Sequence, residues 1–247
     1  MRSLYKQFLC LVAILLVAVF SSCEKENPDA ESSKLILKSQ EITALYYEEP
    51  EGRSDHHEIV PFKIYVKGGT PDRLKGDYIF KVANGSVLPE GMQLDTLTGV
   101  ISSNGQKIKT KQETIEFEIE VTDGVRSTTN KFLLRSKTIK RGSKKPFPVL
   151  QFSSPETRLV LYKKNSFYGV SLTMLGGTPP YYFELIDGSS LPGELTLNSS
   201  NGVISGSISD IPSGSYKFHV QCIDSNGKKA VSLCTSQDYE EFILIVR

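Results

Sequence analysis

The chain of 247 residues contains no tryptophan, which removes the usual aromatic platform for stacking sugars. It has only three histidines. No Gly-x-Ser-x-Gly elbow, phosphate loop, Cys-x-x-Cys pair or His-Glu-x-x-His motif occurs. The common hydrolase, nucleotide, redox and zinc-protease signatures are therefore missing. A net charge of +1 gives no overall pull toward nucleic acid, and no nucleic-acid partner is expected. The one long apolar run, Phe8 to Phe20, falls short of the roughly 20 residues that a membrane-crossing helix needs. Beyond it no stretch carries a helical period, which excludes a helical bundle.

What precedes and follows that run is informative. Arg2 and Lys6 lead into it, and Ser21, Ser22 and Cys23 close it, the order of a cleaved secretory signal. Phe20-Ser21-Ser22-Cys23 resembles the lipobox of bacterial lipoproteins, although Phe20 stands where that family prefers leucine. The resemblance implies that residues 1–22 are removed and that Cys23 carries lipid, a membrane attachment through several acyl chains. Residues 23–34 are polar and without apolar periodicity, a tether reaching on average ~20 Å. Glu24, where inner-membrane retention uses Asp, favours the outer membrane. Lys25 among acidic neighbours also resembles a surface-export signal, so the cell surface and the periplasmic face both stay open.

The rest of the chain is written twice. Gly68-Gly69-Thr70-Pro71 recurs as Gly176-Gly177-Thr178-Pro179, and Leu88 to Ser102 recurs without a gap as Leu191 to Ser205. Phe117 to Gly124 returns loosely as Phe218 to Ser225. Insertions such as Asp72–Gly76 account for the drift in spacing, so a whole domain is duplicated. The expected units are residues 35–138 and 147–247. The bridge at 139–146 is basic, with Lys140, Arg141, Lys144 and Lys145 and no acid. It reads as a solvated linker, with anionic lipid heads or acidic polysaccharide as a livelier alternative.

Each copy alternates with period two. Ile115, Phe117, Ile119 and Val121 interleave with three glutamates, and Tyr216, Phe218, Val220 and Cys222 interleave with Lys217, His219 and Gln221. Tyr78, Phe80 and Val82 match Tyr181, Phe183 and Leu185 as a further inward set. Turn residues separate these runs at Thr98-Gly99, Asp123-Gly124, Asn201-Gly202 and Asn226-Gly227. The fold class expected is all-β: two tandem immunoglobulin-like β-sandwiches behind a signal peptide and a tether.

These motifs resemble the He_PIG immunoglobulin-like repeats of bacterial surface proteins, which are similar to cadherin-like and dystroglycan-type domains. The resemblance covers about residues 60–135 and 165–247. The second copy departs from it at Gly193-Glu194, and the first has Ser103 where a glycine is usual. The leading segments, 35–60 and 149–164, match weakly and read as first strands of the same sandwiches. The resemblance implies adhesion, binding of envelope proteins or polysaccharide, or spacing, with no catalytic residues to carry over and no cofactor.

Site candidates follow from the residues. Tyr182 should face solvent between inward Tyr181 and Phe183, and one ring of Tyr46-Tyr47 must do the same; all three are candidates for ligand contact, including glycan. His56 and His57, beside Asp55 and Glu58, form a competent metal-ligand set, weighed against a solvated loop. Calcium would draw on turn aspartates such as Asp224, yet one carboxylate per turn suits hairpin chemistry as well, and the Asp-x-Asn-Asp joint signature is absent. Cys222 and Cys234 share an oxidising compartment. A simple hairpin sets Cys222 opposite about Val231, too far from Cys234 for a disulfide unless a bulge shifts the register. The function expected is noncatalytic: binding, adhesion or scaffolding at the cell envelope. A structural spacer or pilus-like subunit, and a glycan-binding accessory of polysaccharide uptake, are the alternatives.

Overall fold

A computed structural model describes residues 34–38, 41–47, 56–70, 77–103, 114–139, 149–154, 157–162, 167–186, 188–232 and 237–247. Cys23, all of the tether but Lys34, most of the bridge and Cys234 lie outside them. The described residues are all β, without a helix.

The first copy supplies β1 (Ile36–Leu37), β2 (Glu41–Tyr47), β3 (His56–Ile59), β4 (Phe62–Lys63) and β5 (Val66–Lys67). It continues with β6 (Ile79–Val82), β7 (Gln93–Leu94), β8 (Val100–Ser102), β9 (Thr114–Thr122) and β10 (Ser127–Ile139). The second copy begins with β11 (Gln151–Phe152), β12 (Arg158–Leu161), β13 (Phe167–Ser171), β14 (Met174–Leu175) and β15 (Tyr181–Leu185). It ends with β16 (Thr196–Leu197), β17 (Val203–Ser207), β18 (Gly214–Asp224) and β19 (Glu240–Val246).

The copies pair their strands alike. In the first, β2 runs parallel to β10, which is antiparallel to β9, and β9 to β6. In the second, β12 runs parallel to β19, which is antiparallel to β18, and β18 to β15. The alternation read from sequence holds: Phe117, Ile119 and Val121 are buried, as are Phe218, Val220 and Cys222. Shifting either strand by one residue would bury its polar set instead, so the register is fixed.

A shared local device repeats in both copies. Asp123 accepts backbone N–H bonds from Thr70 (2.7 Å), Val125 (2.9 Å) and Arg126 (2.6 Å). Asp224 accepts them from Thr178 (3.0 Å), Asn226 (2.9 Å) and Lys228 (2.9 Å). Tyr78 and Tyr181 donate to the carbonyls of Gly68 and Gly176 at 2.8 and 2.7 Å. Each Gly-Gly-Thr turn is thus clamped to the far end of its hairpin. Gly99 and Gly202, at φ +68° and +62°, lie flat against the rings of Phe80 and Phe183. A Cβ there would sit 2.6 or 2.8 Å from ring carbon.

The two copies are not joined as separate beads. Two five-stranded sheets mix them, in the orders β1-β5-β13-β17-β16 and β11-β14-β4-β8-β7. The crossings are Lys67 opposite Val170 and Leu175 opposite Phe62, and these are the same pair under the repeat. Gly68 N–H donates to Gly169 O and Gly176 N–H to Pro61 O, both at 2.8 Å. The junction therefore has an approximate two-fold symmetry, each copy offering the same bent strand to the other.

Side chains follow that crossing. Phe62, Ile64 and Val66 pack in the first copy's core, while Tyr65, between them, packs in the second's. Val100 joins the second core and Val203 the first. The hydrophobic interior is thus interlocked, at a gross gain of about 1.5–3 kcal/mol for each large apolar side chain buried.

Candidate functional site at the junction of the copies

Lys63 occupies the first copy's half of the crossing strand, and Ser171 is its counterpart under the repeat. With both faces of β4 covered, the Lys63 side chain is only 1% exposed, at the edge of a cavity. Its Nζ donates to Ser171 Oγ and lies 6.0 Å from the centre of the Phe183 ring. Ser171 Oγ in turn donates to Ile64 O at 3.5 Å. No carboxylate pairs with this amine among the described residues. Burial pushes it down to about 7, against a smaller opposing effect of nearby Cys222. The Cys222 thiol is free and buried, and that burial raises it, so it stays protonated. Tyr181 is likewise raised, chiefly by burial.

Beside Lys63 opens a cavity of about 400 Å³, walled by both copies. Tyr181, Phe183 and Pro180 come from the second copy, and Asp95, Thr98 and Ser102 from the first. The β7–β8 turn that carries Asp95 is held by its own carboxylate, which accepts from the Leu97 and Thr98 N–H groups at 2.9 Å. The related place across the approximate two-fold is bridged by hydrogen bonds. There Asp77, the counterpart of Pro180, accepts from Asn198 Nδ2 at 3.0 Å and from Asn201 Nδ2. One side of the junction is bridged by a carboxylate of the chain; the other has proline in that position and an open cavity. An amphipathic hollow with one buried cation can hold a small polar ligand.

The residues singled out from sequence fall elsewhere. Tyr182 is exposed, at 51%, as its alternation requires, and it lies outside the cavity that its neighbours Tyr181 and Phe183 line. Tyr46 and Tyr47 sit on β2, opposite His57 and His56 of β3 in the backbone register, which brings four ring-bearing residues onto adjacent strands. Asp224 is buried, with Oδ1 taken by backbone N–H groups of its own turn and Oδ2 by the Thr178 N–H. Among the described residues no three His, Cys, Asp or Glu side chains gather into a metal-binding group. Opposite Cys222 stands Ala230, whose N–H donates to Cys222 O at 2.7 Å, one residue short of the expected Val231. Lys63 escaped the sequence reading. Its one signal was a lone charge inside Val60–Val66, a stretch otherwise almost wholly apolar.

The He_PIG family model, described as "Putative Ig domain", matches residues 148–237. The match begins at the leading strands of the second copy, ahead of the segment whose motifs carry the resemblance. No curated protein matches the chain. Solved structures similar to it include the human desmocollin-1 ectodomain, at 13% identity and TM-score 0.30, over 83% of this chain and 35% of that one. Drosophila N-cadherin EC1-3 is similar at 13% identity and TM-score 0.31, over 85% and 63%. Human protocadherin-24 EC1-2 is similar at 10% identity and TM-score 0.27, over 71% and 84%. The chain spans about a third of the desmocollin-1 chain and just under two thirds of the N-cadherin one. The class defined is an immunoglobulin-like β protein.

Proposed function

We propose that this chain is a lipid-anchored protein of the outer membrane, built of two tandem He_PIG-type units that bind a partner without transforming it. The units are residues 35–138 and 147–247, joined by the basic bridge 139–146 and tethered through Cys23. The observation that carries the reading is the immunoglobulin-like match at 148–237, taken with the like pairing of the main strands in the other copy. Its partners are envelope proteins or polysaccharide, met at the cell surface or the periplasmic face.

The test is to express the full chain from its own signal in a Gram-negative host. Mass spectrometry of the mature protein should find the first residue, Cys23, carrying acyl chains. Cys23→Ser should move the protein from the membrane to the soluble fraction. Whole cells displaying the protein should retain an envelope component that cells carrying Cys23→Ser do not. A free Cys23 thiol on a soluble mature chain would remove the anchor from the reading. Self-association into polymers without any retained component would favour the spacer.

A further inference from the structure

We propose that the junction cavity binds one acidic sugar unit, its carboxylate seated against the Lys63 ammonium and its hydroxyls against Asp95, Thr98 and Ser102. The inference rests on the binding role proposed above and gives it a ligand class.

Three observations converge on this chemistry. The first is the cation. Lys63 is enclosed with one hydrogen bond, to Ser171, and a ring face for company, so two of its three N–H donors have no acceptor among the described residues. A buried charge of this kind calls for a counterion. The second is the asymmetry of the junction. On the related side Asp77 bridges to Asn198 and Asn201, whereas here Pro180 stands in its place and leaves a cavity between Lys63 and Asp95. The third is the lining. Rings of Tyr181 and Phe183 and the Pro180 ring offer apolar faces, while Thr98, Ser102 and Asp95 offer hydroxyl and carboxylate partners toward the turn. About 400 Å³ suits one sugar ring rather than a chain.

The charge also sets a pH dependence. Cys222 on β18 lies near the amine and Tyr181 on β15 lines the same cavity; both are held protonated by burial, and Asp95 of the β7–β8 turn is the acid on the cavity wall. Lys63 is thus the group that titrates near neutrality, lowered by its burial to about 7. A bound carboxylate favours its charged form, so affinity is highest below neutral pH and falls as pH rises.

The experiment is calorimetric titration of the full chain in detergent with glucuronate, glucose and acetate at pH 6 and pH 8.5. Glucuronate should bind at pH 6, roughly 10- to 100-fold tighter than glucose, the worth of a charge-assisted hydrogen bond. The difference should shrink at pH 8.5, and acetate should bind more weakly than glucuronate. Lys63→Met should bring glucuronate down to the level of glucose. Ser200→Trp, an exposed substitution in the cavity wall that leaves Lys63 untouched, should abolish both. Equal affinity for glucuronate and glucose, no binding of either, or a Lys63→Met variant that still prefers the acid overturns the proposal. Retention of an envelope component by cells carrying Ser200→Trp separates failure of this site from failure of the binding role.

Discussion

Lys63 exerts its largest effect through where its proton resides. Below about pH 7 both the folded and the unfolded chain hold that proton, so the full cost of burying the charge is present. Between there and the ordinary lysine value of 10.5 only the unfolded chain holds it, and stability rises with pH. The penalty relieved across that window is on the order of 5 kcal/mol. Lys63→Met keeps the volume and removes the charge, leaving Ser171 with its weaker bond to Ile64. Thermal melts should show the variant more stable than wild type at pH 6, with the gain shrinking toward pH 10. Parallel melting curves across that range would mean the amine is not enclosed. The Asp123 clamp also favours higher pH, but because its charged form is stabilised rather than penalised. Against the opposing effect of burial, the N–H groups of Thr70, Arg126 and Val125 hold Asp123 below its usual value. Its contribution is present above the unfolded value of 3.8 and is lost as pH falls through the folded one. Asp123→Ala and Asp224→Ala strip three backbone donors each of their acceptor. Each should cost about 2–3 kcal/mol at pH 7 by urea denaturation, and a loss under 0.5 kcal/mol would show that water replaces the clamp.

Elements differ in how much neighbours constrain them, and glycine reports this. At Gly202 a new Cβ meets the Phe183 ring at 2.8 Å, whereas at Gly227 it meets nothing within 4 Å, although both have positive φ. Gly227→Ala should therefore cost only the backbone term of about 1–2 kcal/mol. Gly202→Ala adds a clash with a core ring and should cost some 1–3 kcal/mol more, read by the same denaturation. The same contrast explains which elements could be read from the chain. β9 and β18 each pack one face and wet the other, so Phe117–Ile119–Val121 and Phe218–Val220–Cys222 announce themselves by alternation. The crossing strand buries both faces, which erases alternation, since Ile64 serves one core and Tyr65 the other. From Val60–Val66 one could tell that the segment is interior but not that it serves two interiors. The cavity was illegible for a related reason. It arises where Pro180 replaces the carboxylate that Asp77 brings to the related side, a difference that matters only once the two-fold juxtaposition is known.

At the scale of the whole molecule, that approximate two-fold makes each copy an incomplete body with a ready partner. Residues 147–247 alone would lose Tyr65 and Val100 from their core and uncover the pairing edges of Val170 and Leu175. Because Lys67 corresponds to Leu175 and Phe62 to Val170, two such fragments can rebuild the crossing with Leu175 opposite Val170 twice. Ser171 would then meet Ser171, two hydroxyls able to bond each other. The fragment should therefore be a dimer in sedimentation equilibrium, and Leu175→Arg should make it monomeric or insoluble. Residues 35–138 face the opposite situation, since the same operation sets Lys63 against Lys63 in a dry interior. Two like charges there repel strongly, so this fragment should not dimerise at pH 6. Lys63→Ser should restore its dimer, and raising the pH above 8 should do so in part, because the amines then lose their protons. A dimer of unmodified 35–138 at pH 6 would show that Lys63 does not dictate the pairing. The charge that burdens the fold would otherwise be what makes the first copy choose the second over another of its own kind.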